Sequence, residues 1–273
     1  MSRELRAKWT QLERLLAAGG RLVVAYSGGC DSSFLLAAAI RVLGNDSVLA
    51  FTAVSASLAK AEYDEAERLA RHLRATHEFI QTEEFSNPSY IANPTNRCFF
   101  CKTELYEKLQ PLAQQRSARV ADGLNASDLQ DVRPGIEAAR RNGVWHPLVE
   151  AQLSKRDIRV LSRWMNLPTW NKPASPCLSS RIPFGQPVTP GALRQVEAAE
   201  SCLKAEGFSI VRVRHFGDEA RIEVPQDRLP ELRSSERWGK VSRGLLALGF
   251  RRVTADPRGF KSGRLNEAAL HIS

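Results

Sequence analysis

The run Leu22-Val23-Val24-Ala25-Tyr26-Ser27-Gly28-Gly29-Cys30-Asp31-Ser32 constrains this chain more than any other segment. Leu22, Val23 and Val24 read as a strand apolar on both faces, the pattern of a buried parallel sheet. The strand stops at Ser27-Gly28-Gly29, and a helical run opens at Ser33 with Phe34-Leu35-Leu36. Strand, glycine turn and helix N-terminus in that order aim backbone N–H groups and the positive end of a helix dipole at one point. Such a point suits a phosphate. The glycines permit close approach, Ser27 and Ser32 supply hydroxyl donors, and Asp31 is placed to hold the Mg2+ that accompanies a triphosphate. The plainer alternative is a glycine turn capped by Asp31. No Gly-Lys-Ser/Thr follows, so the loop is not a Walker A, and it is not Gly-x-Gly-x-x-Gly either.

Around that loop, strand patterns (21–26, 47–54, 76–81, 118–122) alternate with helical ones (31–43, 59–74, 102–116, 134–142, 154–165). Alternation of this kind predicts α/β architecture with a parallel sheet covered on both faces. An amphipathic helix (Leu5, Trp9, Leu12, Leu15, Leu16) leads in. After an irregular stretch from Pro168 to Pro190 the order changes to a helix (192–206), a hairpin (209–215 and 220–224 around Phe216-Gly217-Asp218-Glu219), further helices and a last strand near 250–255. The expected division is therefore residues 1–180 and a smaller α+β domain at 181–273. A length of 273 residues allows two such cores.

No apolar stretch approaches the ~18 residues that span a bilayer, and no hydrophobic segment follows the charged start, so a cytoplasmic protein without a membrane partner is expected. The net charge of +9 asks for an anionic partner, although an arginine-rich composition alone produces the same sign. No concentrated Lys/Arg run or RNA-binding motif is present, which argues against nucleic acid.

There are five cysteines, and the reducing cytosol expected for this chain argues against structural disulfides. Cys30 and Cys202 fit small buried positions. Cys98-Phe99-Phe100-Cys101 has the C-x-x-C spacing with which two thiolates bind one metal or cluster. Cys177 lies in the proline-bounded segment Pro176-Cys177-Leu178-Ser179-Ser180-Arg181-Ile182-Pro183, beside an arginine that favours thiolate. Three cysteines suit an iron–sulfur cluster with one open site, or a redox pair plus a sulfur-carrying thiol. A zinc site completed by His146, or a chance C-x-x-C, are the alternatives.

Ser-Gly-Gly-x-Asp-Ser resembles the PP-loop of the N-type ATP pyrophosphatases, whose fold is that of the adenine nucleotide alpha hydrolases. Further segments extend the likeness: Arg97 to Tyr106, Ala121 to Asp128, Arg133-Pro134-Gly135, Leu167 to Gly185, Val211 to His215, Ala220 to Val224 and Gly259 to Glu267. Together they resemble the LarE family of ATP-dependent sulfur transferases, which act in nickel-pincer nucleotide biosynthesis. The resemblance implies ATP bound by Ser27, Gly28, Gly29, Asp31, Ser32 and Gly123, with Mg2+ on Asp31. It implies a pyridinium mononucleotide with two carboxylic acids as substrate, held by Ser180, Arg181, Arg212, Arg214, Asn125 and Asp128. A carboxylate is adenylated, and protein-held sulfur then displaces AMP. Cys177 matches the sulfur-donor position. In one branch that cysteine surrenders its own sulfur; in the other, three cysteines hold a [4Fe-4S] cluster. Cys98, Cys101 and Cys177 together favour the cluster branch. Asn125 and Asp128 also suit plain turn and capping roles. The smaller domain is expected to bind substrate and to mediate homo-oligomer formation. Rival readings are a tRNA-thiolating enzyme of the same superfamily and a non-catalytic adenine-nucleotide-binding regulator.

Overall fold

In the computed structural model residues 1–130 and 134–261 are described. Arg133 and residues 262–267, parts of the segments quoted above, lie outside them. The chain forms two compact units. One comprises Met1–Glu84 with Asn96–Ser175, the other Phe85–Thr95 with the chain from Pro176 onward.

The first unit opens with α1 (Arg3–Gly19), β1 (Leu22–Ala25), α2 (Cys30–Leu43), β2 (Val48–Val54), α3 (Lys60–His72) and β3 (Thr76–Gln81). A short α4 (Pro88–Ile91) belongs to the second unit. The first unit resumes with α5 (Arg97–Gln115), β4 (Arg119–Asp122), α6 (Pro134–Arg141), α7 (Pro147–Glu150) and α8 (Lys155–Trp164). Its four strands are all parallel, in the order β3-β2-β1-β4. Alternate residues of β1 serve opposite faces. Leu22 and Val24 pack with α1, α2 and α8, whereas Val23 and Ala25 pack with Leu105, Tyr106 and Leu109 of α5 and with Ala138 of α6. Two-sided burial explains the unbroken apolar run seen in the sequence.

The chain adds β2 and β3 on one side of β1 and then returns to add β4 on the other. The order reverses between β1 and β4. In open α/β sheets ligands collect beyond the carboxyl ends of the strands at such a reversal.

The second unit contains α9 (Pro190–Ala205), β5 (Arg212–Phe216), β6 (Glu219–Glu223), α10 (Leu229–Leu232), α11 (Ser235–Ala247) and β7 (Arg252–Ala255). The β5–β6 hairpin is antiparallel as expected, and β7 joins β6 in parallel. Leu203 of α9 and Val241 and Leu245 of α11 bury one face of this sheet. Residues 85–95 join the unit through buried Asn93. Its side-chain amide donates to the carbonyls of Ile182, Pro183 and Gln186, and its own carbonyl accepts from Gly185 N–H. The expected α/β class, with a smaller α+β part following a parallel sheet, is what the structure has. Among the described residues no helix is long and apolar enough to cross a membrane.

Candidate active site

The Ser27–Ser32 loop joins β1 to α2 at the order reversal. Gly28 adopts φ +69°, and a Cβ there would lie 3.0 Å from that of Ala66 on α3, so glycine is required twice over. Gly29 caps α2 with no side-chain hydrogen bond, which leaves the helix's first N–H groups without an internal acceptor. Exposed Ser27 and buried Ser32 have their hydroxyls 3.1 Å apart, and the Ser27 N–H donates to Ser32 Oγ at 3.2 Å. The loop is thus held together by the two hydroxyls expected to face a phosphate.

Asp31 stands on the first turn of α2. Its Oδ2 accepts from Lys155 Nζ at 2.5 Å, while its Oδ1 is buried with no hydrogen-bond partner. Burial pushes this carboxyl above its usual range, and Lys155 only partly opposes the shift. A carboxylate oxygen without a partner beside a phosphate-sized loop suits Mg2+, which needs one or two carboxylates and completes its shell with phosphate and water. Lys155, the first residue of α8, was not singled out by any sequence pattern. Its cap is legible as the box Ser154-x-x-Asp157, but nothing local ties position 155 to position 31.

From β4, Gly123 reaches the same loop. A Cβ at Gly123 would lie 2.7 Å from Ser32 N and 2.9 Å from Asp31 C, so the two backbones meet at the reversal. Its neighbour Asp122 is anchored by the Tyr106 hydroxyl at 2.7 Å, by His146 Nδ1 at 2.8 Å and by the Leu124 N–H at 3.1 Å. Burial raises the Asp122 carboxyl, but His146, Lys102 and Tyr106 outweigh it and hold it below the usual range. His146 therefore serves a carboxylate. Buried Asn125 and half-buried Asp128 engage one another: the amide of Asn125 donates to Asp128 Oδ2 at 2.7 Å, and Asn125 Oδ1 accepts from Ser127 N–H. They shape the turn after β4.

All five cysteines are described and none forms a disulfide. Cys98 and Cys101 lie on the first turns of α5, because that helix starts at Arg97 rather than at the expected 102. Their three-residue spacing puts both thiols on one face, and Cys101 Sγ donates to the Cys98 carbonyl at 3.6 Å. The pair suits two ligands of a cluster; the third candidate, Cys177, belongs to the other unit. Among the described residues no three His, Cys, Asp or Glu side chains are gathered to hold a metal ion.

In the second unit, exposed Cys177 precedes a single helical turn, Leu178–Arg181. Buried Arg181 donates to the carbonyls of Pro176 at 2.6 Å and Cys177 at 3.0 Å, to Ser180 Oγ, and through both remaining nitrogens to Glu200. Within that turn, the Ser179 hydroxyl is fixed 2.7 Å from the Tyr90 hydroxyl. Arg214 forms a bidentate pair with Glu223 and also donates to the Ser180 carbonyl at 2.7 Å. Half-buried Arg212 has its guanidinium pKa lowered by burial and by the Arg181 and Arg214 charges. The arrangement is a cysteine loop gripped by arginines with local excess positive charge. Ser180, Arg181, Arg212 and Arg214 are brought together here; Asn125 and Asp128 lie in the first unit.

No family model matches the chain. It is 43% identical over 263 residues to an uncharacterised protein of Synechocystis, covering 96% of this chain and 98% of that one. An uncharacterised protein of Methanocaldococcus jannaschii matches at 24% over 234 residues, 85% of this chain and 88% of its own length. The pyridinium-3,5-bisthiocarboxylic acid mononucleotide synthase of Lactiplantibacillus plantarum is 39% identical over 248 residues, 90% of this chain and 89% of that enzyme. At that identity over nearly the full length of both chains, the chain belongs to the LarE-type family of pyridinium-3,5-bisthiocarboxylic acid mononucleotide synthases and is an enzyme.

Proposed function

We propose that the protein is an ATP-dependent sulfur transferase that converts a carboxylate of a pyridinium biscarboxylic acid mononucleotide into a thiocarboxylate, for nickel-pincer nucleotide biosynthesis. The observation that carries this reading is an exposed thiol, Cys177, whose own loop is clamped by buried Arg181 beside Arg212 and Arg214. An anionic substrate is drawn to such a loop, and a nucleophilic sulfur waits there.

The reaction has two halves. A substrate carboxylate oxygen attacks the α phosphorus of ATP, the bond to the β-phosphate oxygen breaks, and pyrophosphate leaves. A protein-held sulfur then attacks the acyl carbon and AMP departs with its oxygen. Adenylation is needed because a carboxylate oxygen is a poor leaving group. The Gly28-Gly29 backbone, the Ser27 and Ser32 hydroxyls and the N-terminus of α2 hold the leaving pyrophosphate. Asp31 supplies its unpartnered oxygen to Mg2+, and Lys155, its ion-pair partner, adds positive charge at the same end of the sheet. Arg181 fixes the Cys177 backbone, while Arg212 and Arg214 attract the substrate phosphate. Cys98, Cys101 and Cys177 are the residues that would ligate a [4Fe-4S] cluster, which when bound supplies an open iron for an additional sulfide.

Pyrophosphate release from labelled ATP tests the first half. Release that depends on the pyridinium mononucleotide supports the reading. Release driven by tRNA instead, or ATP binding without turnover, rejects it.

A further inference from the structure

The first unit contains an ion cluster that the reaction above does not use. Lys172, only 12% exposed at its side chain, has its Nζ 2.8 Å from Glu62 Oε2 and 2.9 Å from Glu65 Oε2. Both glutamates stand on α3, three residues apart and so on one face. The same Nζ donates to the carbonyl of Gly28 at 3.2 Å. The lysine's own backbone is fixed as well: its N–H donates to the Thr169 carbonyl at 3.0 Å, and its carbonyl accepts from Arg159.

A trans peptide points its C=O and N–H in opposite directions. The carbonyl of Gly28 and the N–H of Gly29 share one peptide. With the oxygen drawn to Lys172, the Gly29 N–H is turned the other way, toward the Ser27 hydroxyl at 3.4 Å, where Ser27 is exposed. We infer that Lys172 is a positioning residue for the nucleotide: by tying the Gly28 carbonyl to α3, it orients the Gly29 N–H toward the phosphates. Two carboxylates on one ammonium keep the lysine in place, since its departure toward an anion would leave Glu62 and Glu65 repelling each other. The inference rests on the loop being an ATP site.

The test compares binding of ATP and of inorganic pyrophosphate, and the kinetics of pyrophosphate release, for the full-length wild type, Lys172→Met and the triple variant Lys172→Met/Glu62→Gln/Glu65→Gln. The triple variant removes the charge repulsion that the single change creates, so it keeps the comparison valid where Lys172→Met folds poorly. Both variants are expected to bind ATP and pyrophosphate about tenfold more weakly, with kcat within about twofold of wild type. A triple variant that melts like wild type and binds ATP as tightly overturns the inference. A fall in kcat with KM unmoved also overturns it, because the lysine would then act on the leaving group itself. Failure of the wild type to bind either ligand would instead reject the ATP reading, and the positioning role with it.

Discussion

Asp31 is under opposing demands. Its oxygen without a hydrogen-bond partner is what a cation needs, yet burial raises its pKa, so the ionised form that the proposed Mg2+ would require is costly in the folded chain. A carboxyl whose folded pKa exceeds the unfolded one adds stability below the unfolded value and loses it as pH rises through the folded value. At neutral pH the charge therefore opposes folding. Asp31→Asn is expected to melt at or above the wild-type temperature while pyrophosphate release falls about a hundredfold or more; a lower melting temperature with activity retained would contradict this. Gly123→Ala pushes a methyl to within 2.7 Å of the Ser32 backbone nitrogen, and backbone cannot yield as a side-chain tip can. A loss of about 1–3 kcal/mol in denaturant unfolding, with weakened ATP binding, is expected. The family resemblance named Gly123, but its contact with the loop backbone was not legible in the sequence. Lys155 and Lys172 were invisible for the same reason: each pairs with a residue more than a hundred positions away.

Among the elements, the strands and most helices were readable because their apolar period matches their burial. α5 was not read in full. Its N-cap Asn96 makes no side-chain capping bond, and Cys98-Phe99-Phe100-Cys101 are indifferent helix formers, so the sequence places the start at Lys102. The consequence is chemical, since it moves the C-x-x-C from a loop onto a helix turn with a set thiol spacing. α8 was legible as the helical pattern at 154–165, and the structure adds a capping box in which Ser154 and Asp157 bond each other's backbone, while Asp157 also meets Lys8 at 2.9 Å. Ser154→Ala is expected to cost about 1 kcal/mol, seen as a fall in melting temperature of about 2–4 °C. An unchanged melting temperature would show that tertiary packing alone holds the helix that carries Lys155.

For the whole molecule, the chain assigns the Ser27–Ser32 loop, the proposed ATP site, to one unit and Cys177, the proposed sulfur donor, to the other. The return of residues 85–95 to the second unit was not readable, because it depends on Asn93 meeting carbonyls about ninety residues later. This division of labour makes the two half-reactions separable. Cys177→Ala is expected to retain substrate-dependent pyrophosphate release and to lose sulfur transfer; loss of both together would show that the cysteine also serves adenylation. Iron and acid-labile sulfide in anaerobically purified protein should approach about four irons per chain and fall in Cys98→Ala, Cys101→Ala and Cys177→Ala. Absence of iron after reconstitution would leave Cys177 as a single-use donor, checked by loss of one sulfur from the chain's mass after turnover. The most direct measurement is mass spectrometry of the pyridinium mononucleotide after anaerobic reaction with ATP and Mg2+. Replacement of a carboxylate oxygen by sulfur, absent with Cys177→Ala, is the expected result; AMP and pyrophosphate released with every carboxylate oxygen still oxygen would contradict sulfur transfer.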